Sequence, residues 1–182
     1  VPKGYDVPAD AAYFHVTTNN TIFGTEIHED YDVACPLIAD MSSDIYSRPV
    51  DVSKYDLIYA GAQKNIGPAG ATLVIIKDDL LASIDKTLPS MLDYRVHAKG
   101  ESMFNTPPVF PIFVINETFK WLKSIGGVAE IQKRNIEKAN LLYNEIDNNE
   151  MFVGTAAKED RSLMNACFVL KDNSLDNEFL EY

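Results

Sequence analysis

The sequence predicts an α/β layer architecture. Short apolar runs alternate along the chain with stretches of helical periodicity. Two of the runs, Leu57-Ile58-Tyr59-Ala60 and Ala71-Thr72-Leu73-Val74-Ile75-Ile76, are joined by a connection too short for a crossover helix, so they pair as antiparallel neighbours. A long amphipathic pattern then begins at Val128.

Taken in order, Ala12-Tyr13-Phe14-His15-Val16 is a strand, followed by the polar loop Thr17-Thr18-Asn19-Asn20-Thr21. Pro36 precedes a second, buried strand, Leu37-Ile38-Ala39, which runs into Asp40-Met41-Ser42-Ser43. The third and fourth strands are the antiparallel pair, the fourth rich in branched residues. Pro107-Pro108 can start a helix but not continue one, so Val109 to Ser124 reads as a mostly apolar helix that Gly126-Gly127 terminates. From Val128 to Asn148, Val128, Ile131, Ala139, Leu142 and Ile146 recur at helical spacing, and Glu130 stands one turn before Arg134 as an ion pair. Met151-Phe152-Val153 and Ala166-Cys167-Phe168-Val169-Leu170 are strands of a smaller unit, and Leu175 to Tyr182 is the start of a further helix.

Composition sets outer bounds. With 182 residues and 46% hydrophobic content the chain can bury one substantial core, or one core and a small second domain. A net charge of −11 carries no nucleic-acid footprint, because phosphate backbones require clustered Lys and Arg. Cys35 and Cys167 stand far apart with neither a disulfide framework nor metal-ligand spacing, which favours a reducing, cytoplasmic setting and no metal. No apolar run approaches membrane-spanning length.

Lys64 is the residue that asks for an explanation. It lies between an apolar strand and a glycine-bracketed turn, in Tyr59-Ala60-Gly61-Ala62-Gln63-Lys64-Asn65-Ile66-Gly67-Pro68-Ala69-Gly70. A lysine in a fixed, partly desolvated position is a nucleophile toward a carbonyl. Asp40, where a buried strand meets a loop, pairs with it: a cofactor with an aldehyde and a pyridine nitrogen needs one group for each. Each residue also has a plainer reading. A lysine in a turn is usually a solvated charge, Asp40 can cap a helix starting at Met41-Ser42-Ser43, Thr21 can satisfy turn amides, and Gln63 can be a turn residue. A phosphate-binding NTPase loop is excluded, since Gly67 is followed by Pro68 and not by Lys and Ser or Thr. His15, His28 and His97 are read as surface or satisfied histidines, and Arg48 and Arg161 as partners of acids.

The blocks Ala39-Asp40-Met41-Ser42-Ser43-Asp44, Ser47-Arg48-Pro49-Val50-Asp51-Val52-Ser53-Lys54-Tyr55, Ile58 to Gly70 and Phe104-Asn105-Thr106-Pro107-Pro108, in this order and spacing, resemble the phosphoserine aminotransferases. Phe119-Lys120-Trp121-Leu122, Gly126-Gly127 and Arg161-Ser162-Leu163-Met164-Asn165 extend the resemblance over nearly the whole chain. The resemblance implies a fold type I aminotransferase, with residues 1–124 as the later part of a large mixed-sheet domain and 125–182 as a linking helix and the start of a small C-terminal domain. It implies pyridoxal 5'-phosphate as cofactor and amino transfer between glutamate and 3-phosphohydroxypyruvate, giving 2-oxoglutarate and O-phosphoserine. Lys64 is then the covalent anchor and proton carrier, and Asp40 the partner of the ring nitrogen. Thr21 and Gln63 are further cofactor ligands, while Asn105 and Thr106 reach the cofactor of the other subunit of a homodimer. The family's remaining cofactor and substrate ligands correspond to no position here, so the chain reads as a piece of such an enzyme, inactive in isolation. A related enzyme of the same fold with another keto-acid acceptor is the alternative.

Overall fold

Apolar alternation in four short runs builds the central sheet. In the computed structural model, which describes residues 1–181, strand β1 (Phe14–Thr17) is followed by the two-residue strands β2 (Asn19–Asn20) and β3 (Thr25–Glu26), then by β4 (Leu37–Asp40), β5 (Leu57–Gly61) and β6 (Thr72–Ile76). The sheet order is β1-β4-β5-β6. β1, β4 and β5 run parallel, and β6 is antiparallel to β5 with Ile58 opposite Ile75. The short Lys64 connection therefore does join antiparallel neighbours.

Side chains alternate across the strands. Val16, Leu37, Ala39, Ile58 and Ala60 are buried on one face, while His15, Thr17, Ile38, Asp40 and Tyr59 occupy the other, more open one. The buried face is covered by Met41, Ile45, Tyr55 and Ile66, with Ile115 and Phe119 packed against them. Leu37 and Ile58, each almost fully buried, contribute roughly 1.5–3 kcal/mol apiece by leaving water.

After β6 come the short helices α1 (Asp78–Ala82) and α2 (Tyr94–Lys99), then α3 (Val109–Ser124) and α4 (Gly127–Asn148). α3 has the bounds that its sequence predicts. Between α3 and α4, Gly126 and Gly127 have φ of 110° and 78°, values that an L side chain rarely adopts; these two glycines allow one helix to end and the next to begin without a loop. The Glu130–Arg134 pair forms at 3.1 Å.

The buried stripe of α4 differs from the hydropathy pattern. It consists of Asn135, Ala139, Tyr143 and Ile146, while Leu142 is exposed. Polar residues enter the stripe because each has a partner: Asn135 Nδ2 donates to the Ser47 carbonyl at 3.2 Å, and the Tyr143 hydroxyl to the Ser162 carbonyl at 2.8 Å. Beyond α4, β7 (Phe152–Gly154) pairs antiparallel with β8 (Phe168–Leu170), and α5 (Asp176–Glu181) follows. Tyr182, the last residue of the expected terminal helix, lies outside the described residues. Ala139, Tyr143 and Ile146 form a second core with Phe152, Leu163, Ala166 and Phe168.

Two further expectations need correcting. The first strand begins at Phe14, not Ala12, because pairing starts with Phe14 opposite Leu37 and Tyr13 is exposed. The stretch 17–21, expected as loop, contains β2, which pairs with β3 as a short hairpin.

Candidate functional site

β1, β4 and β5 end at the same edge of the sheet, where parallel strands present ligand sites. β1 leads through β2 into Thr21, β4 ends on Asp40, and β5 ends on Gly61 before the turn bearing Gln63 and Lys64. Residues distant in sequence therefore meet there.

Lys64 Nζ donates to Thr21 Oγ1 at 2.9 Å. The turn-amide role suggested for Thr21 falls instead to Asn20, whose Oδ1 accepts from the amides of Ile22 and Phe23 at 3.1 Å each. Thr21 Oγ is thus left to face the lysine. Lys64 itself is exposed in this chain.

Asp40 Oδ1 accepts from the Ser42 amide at 2.9 Å. No α-helix follows, only turns through residue 46, so this contact closes an Asx-type turn and caps no helix. Ser42 Oγ in turn accepts from the Gly61 amide at 3.2 Å, and the Met41 amide donates to the Tyr59 carbonyl at 2.9 Å. These bonds tie the Asp40 end of β4 to the strand that delivers Lys64. Across the strand pair, Asp40 lies opposite Tyr59. Burial pushes the Tyr59 hydroxyl above the ordinary phenol range, and the Asp40 carboxylate pushes it in the same direction; that hydroxyl also lies 3.0 Å from His15 Nε2.

Gln63 is exposed and folds back over Gly61, where an added Cβ would come within 2.7 Å of Gln63 Oε1. The turn is held at both ends. Asn65 Nδ2 donates to the Ile45 carbonyl at 2.6 Å, and a Cβ at Gly67 would lie 2.8 Å from Ile115 Cγ1 of α3. Asn105 and Thr106 are not brought to this edge: both are exposed before α3, and Asn105 Nδ2 donates only to the neighbouring Thr106 carbonyl, at 3.3 Å. The structure thus joins Lys64 to Thr21, links Asp40 to them through Ser42 and Gly61, and leaves Asn105 and Thr106 apart.

Behind this edge lies a buried polar layer that the sequence reading did not single out. Thr18, Asn19, Glu26, Ser43, Asp44 and Ser162 are all buried. Thr18 Oγ1 donates to Asp44 Oδ1 at 2.6 Å. Burial raises the Asp44 carboxyl to about 6; Glu26 pushes it further up, while the Thr18 hydrogen bond and Arg48 oppose the rise. Hydropathy gives no sign of such a layer. The signals in the sequence are the polar runs Thr17-Thr18-Asn19-Asn20 and Ser42-Ser43-Asp44 that follow the first two apolar strands.

The two arginines read as partners of acids do have such partners. Arg48 pairs with Asp30 at 3.3 Å, and Arg161 grips Asp147 with both terminal nitrogens at 2.7 and 2.9 Å. His28 and His97 each contact a backbone carbonyl. Among the described residues no group of His, Cys, Asp or Glu could hold a metal ion, and no helix is long and apolar enough to cross a membrane.

The Aminotransferase class-V family matches residues 6–182. A phosphoserine aminotransferase of Azobacteroides pseudotrichonymphae genomovar. CFP2 is 61% identical over 184 residues, covering 100% of this chain and 51% of the relative. The phosphoserine aminotransferase structure from Bacillus circulans subsp. alkalophilus superposes with a TM-score of 0.92 at 44% identity, covering 96% of this chain and 49% of that one. The PLP-bound phosphoserine aminotransferase from Trichomonas vaginalis gives 0.91 at 41% identity, covering 97% and 51%. The chain spans about half the length of the curated relatives it matches.

Proposed function

Because the chain belongs to the aminotransferase class-V family and has the fold type I architecture of its structural relatives, we propose that its parent protein is a phosphoserine aminotransferase, using pyridoxal 5'-phosphate to move an amino group from glutamate to 3-phosphohydroxypyruvate. The observation that carries the reading is the 2.9 Å hydrogen bond between Lys64 and Thr21 on the strand edge that also bears Asp40.

The donor set fits that cofactor. An amine, a carboxylate, a hydroxyl and a carboxamide, from Lys64, Asp40, Thr21 and Gln63, match an aldehyde, a pyridine nitrogen, a ring oxygen and a phosphate. When bound, pyridoxal phosphate supplies an aldehyde for covalent attachment of an amine and a ring that takes up the electron pair released at the substrate Cα. Lys64 would hold the cofactor through Nζ and, as a free amine, would serve as the base that takes the proton from the substrate Cα and the acid that gives it back. Asp40 holds the ring nitrogen protonated by charge pairing. Thr21 aligns the lysine and the ring oxygen, and Gln63 donates to the phosphate.

Asn105 and Thr106 complete the phosphate cradle of a second copy in a homodimer. Support comes from their surroundings: Met103, Phe104, Val109, Phe110 and Phe113 are exposed around them, the kind of apolar patch that marks an interface. We further propose a domain boundary at residue 125, supported by the two positive-φ glycines between α3 and α4, and a cytoplasmic location, supported by the unpaired Cys35 and Cys167.

The test is turnover by the full-length parent against a panel of keto acids. The reading expects 3-phosphohydroxypyruvate to be preferred and Lys64→Ala to abolish transfer; preference for an unphosphorylated acceptor would replace it with the related-acceptor alternative.

A further inference from the structure

The β2–β3 hairpin presents Thr21 to Lys64, yet it has little to hold itself in place. Its two strands pair over only two residues each, and an isolated hairpin of that size is not stable in water. Its apolar tip gives no anchor either, since Ile22 is 80% exposed and Phe23 67% exposed.

What fixes the hairpin is a segment well over a hundred residues further on, 161–167, between α4 and β8. Ser162, only 1% exposed, is its centre. Ser162 Oγ donates to Asn19 Oδ1 at 2.5 Å and accepts from the amides of Met164 and Asn165 at 3.0 and 2.9 Å. Its own amide donates to the Gly24 carbonyl at 2.9 Å. Asn19 Nδ2 then donates to Asn165 Oδ1 at 2.8 Å and to Ser43 Oγ at 2.9 Å. The Leu163 amide donates to Glu26 Oε2 at 2.6 Å, and Cys167 Sγ to the Ile22 carbonyl at 3.3 Å. Both ends of the hairpin and its tip are therefore gripped. α4 fixes the segment in turn, through Tyr143 to the Ser162 carbonyl and through Asp147 to Arg161.

We infer that Ser162, acting through Asn19 and Thr21, is a positioning residue for Lys64, so that the segment following α4 sets the alignment of the catalytic amine. The inference rests on the cofactor reading of Lys64. Buried side-chain networks of this kind specify one geometry when their members are satisfied; the side-chain atoms of Asn19, Ser43 and Ser162 are paired with one another and with Asn165, and Arg161 Nε, at the start of the segment, is buried without a partner.

The experiment uses the full-length parent with pyridoxal phosphate and reads the cofactor's dissociation rate on dilution and the pH midpoint of its absorbance, neither of which is turnover. Ser162→Ala removes the bond to Asn19 and the two from the Met164 and Asn165 amides; it is expected to speed dissociation about fivefold, the worth of the single bond that reaches the hairpin, and to move the midpoint. Thr21→Ala is expected to do the same, and the double variant no more than the larger single effect, because the two act in series. Thr155→Val, which removes an exposed bond to the Cys167 carbonyl of the same segment without touching Ser162 or Asn19, serves as the structural control and should leave the midpoint in place. If Ser162→Ala does not fold, Asn165→Ala, which removes one partner of Asn19, takes its place. Additive effects of Ser162 and Thr21, or an unmoved midpoint in a folded Ser162 or Asn165 variant, would overturn the inference. Failure of the wild-type parent to bind pyridoxal phosphate at Lys64 would instead overturn the cofactor reading beneath it.

Discussion

Asn65 and Ile45 are joined by a 2.6 Å hydrogen bond from side-chain amide to backbone carbonyl. The residue next to Lys64 is thereby fastened to the turn that leads away from Asp40, and the spacing of the two site residues depends on it. Asn65→Ala should lower the stability of the full-length parent by about 1 kcal/mol and weaken its pyridoxal phosphate affinity about fivefold. Thermal melts and equilibrium titration check the two effects separately; unchanged affinity would mean that this bond does not set the site.

Asp40 makes one side-chain contact to its own turn and stands opposite Tyr59. In the parent, Asp40→Ala should retain part of the cofactor binding yet lose on the order of a hundredfold or more in kcat, because a preorganised charge is removed from where charge develops. Steady-state kinetics at saturating cofactor measure this. Near-normal turnover would remove Asp40 from the ring-nitrogen role.

Asp44 gives a pH dependence with a definite sign. Its carboxyl is raised to about 6 in the fold, against about 4 when unfolded, so the folded state holds the proton more tightly between those values. Its stabilising contribution is complete below about pH 4, falls as pH rises to about 6 and is level above, a change on the order of 3 kcal/mol. Asp44→Asn should flatten this decline and raise stability at neutral pH, provided that the amide oxygen accepts from Thr18. Denaturant melts between pH 4 and 8 test it, and a wild-type stability that climbs through this window on account of Asp44 would contradict it.

Gly24 has a φ of 64°, and an added Cβ would lie 2.7 Å from the Asn165 carbonyl and 2.8 Å from Cys167 Sγ. Gly24→Ala therefore meets backbone strain and a clash together, and should cost roughly 1–3 kcal/mol or more. The same substitution at Gly4, which has positive φ but open space around it, should cost less. Equal losses at the two positions would show that the contact with 161–167 carries no weight.

Much of the fold was legible in the sequence because its elements follow hydropathy. The four sheet strands are short apolar runs, α3 starts behind two prolines, and the antiparallel placement of β6 follows from the length of the Lys64 turn. Lys64 and Asp40 stand out in the sequence because each is a charge placed just beyond an apolar run. What hydropathy could not reveal are the polar residues that the fold buries. Asn135 and Tyr143 replace Leu142 on the inner face of α4, and β2 hides within a polar stretch, because these positions are decided by hydrogen-bond partners distant in sequence. Ser162 and Asn19 belong to the same class. Asn105 and Thr106 remain a matter of the resemblance, since among the described residues the one side-chain hydrogen bond of the pair runs from Asn105 Nδ2 to the Thr106 carbonyl.

The most direct test of the central claim is to add pyridoxal phosphate to the full-length parent, reduce with borohydride, and locate the modified lysine by peptide mass spectrometry. The account predicts stoichiometric modification of Lys64, lost in Lys64→Ala without transfer to another lysine. Modification scattered over several lysines, or selective modification elsewhere, would contradict it.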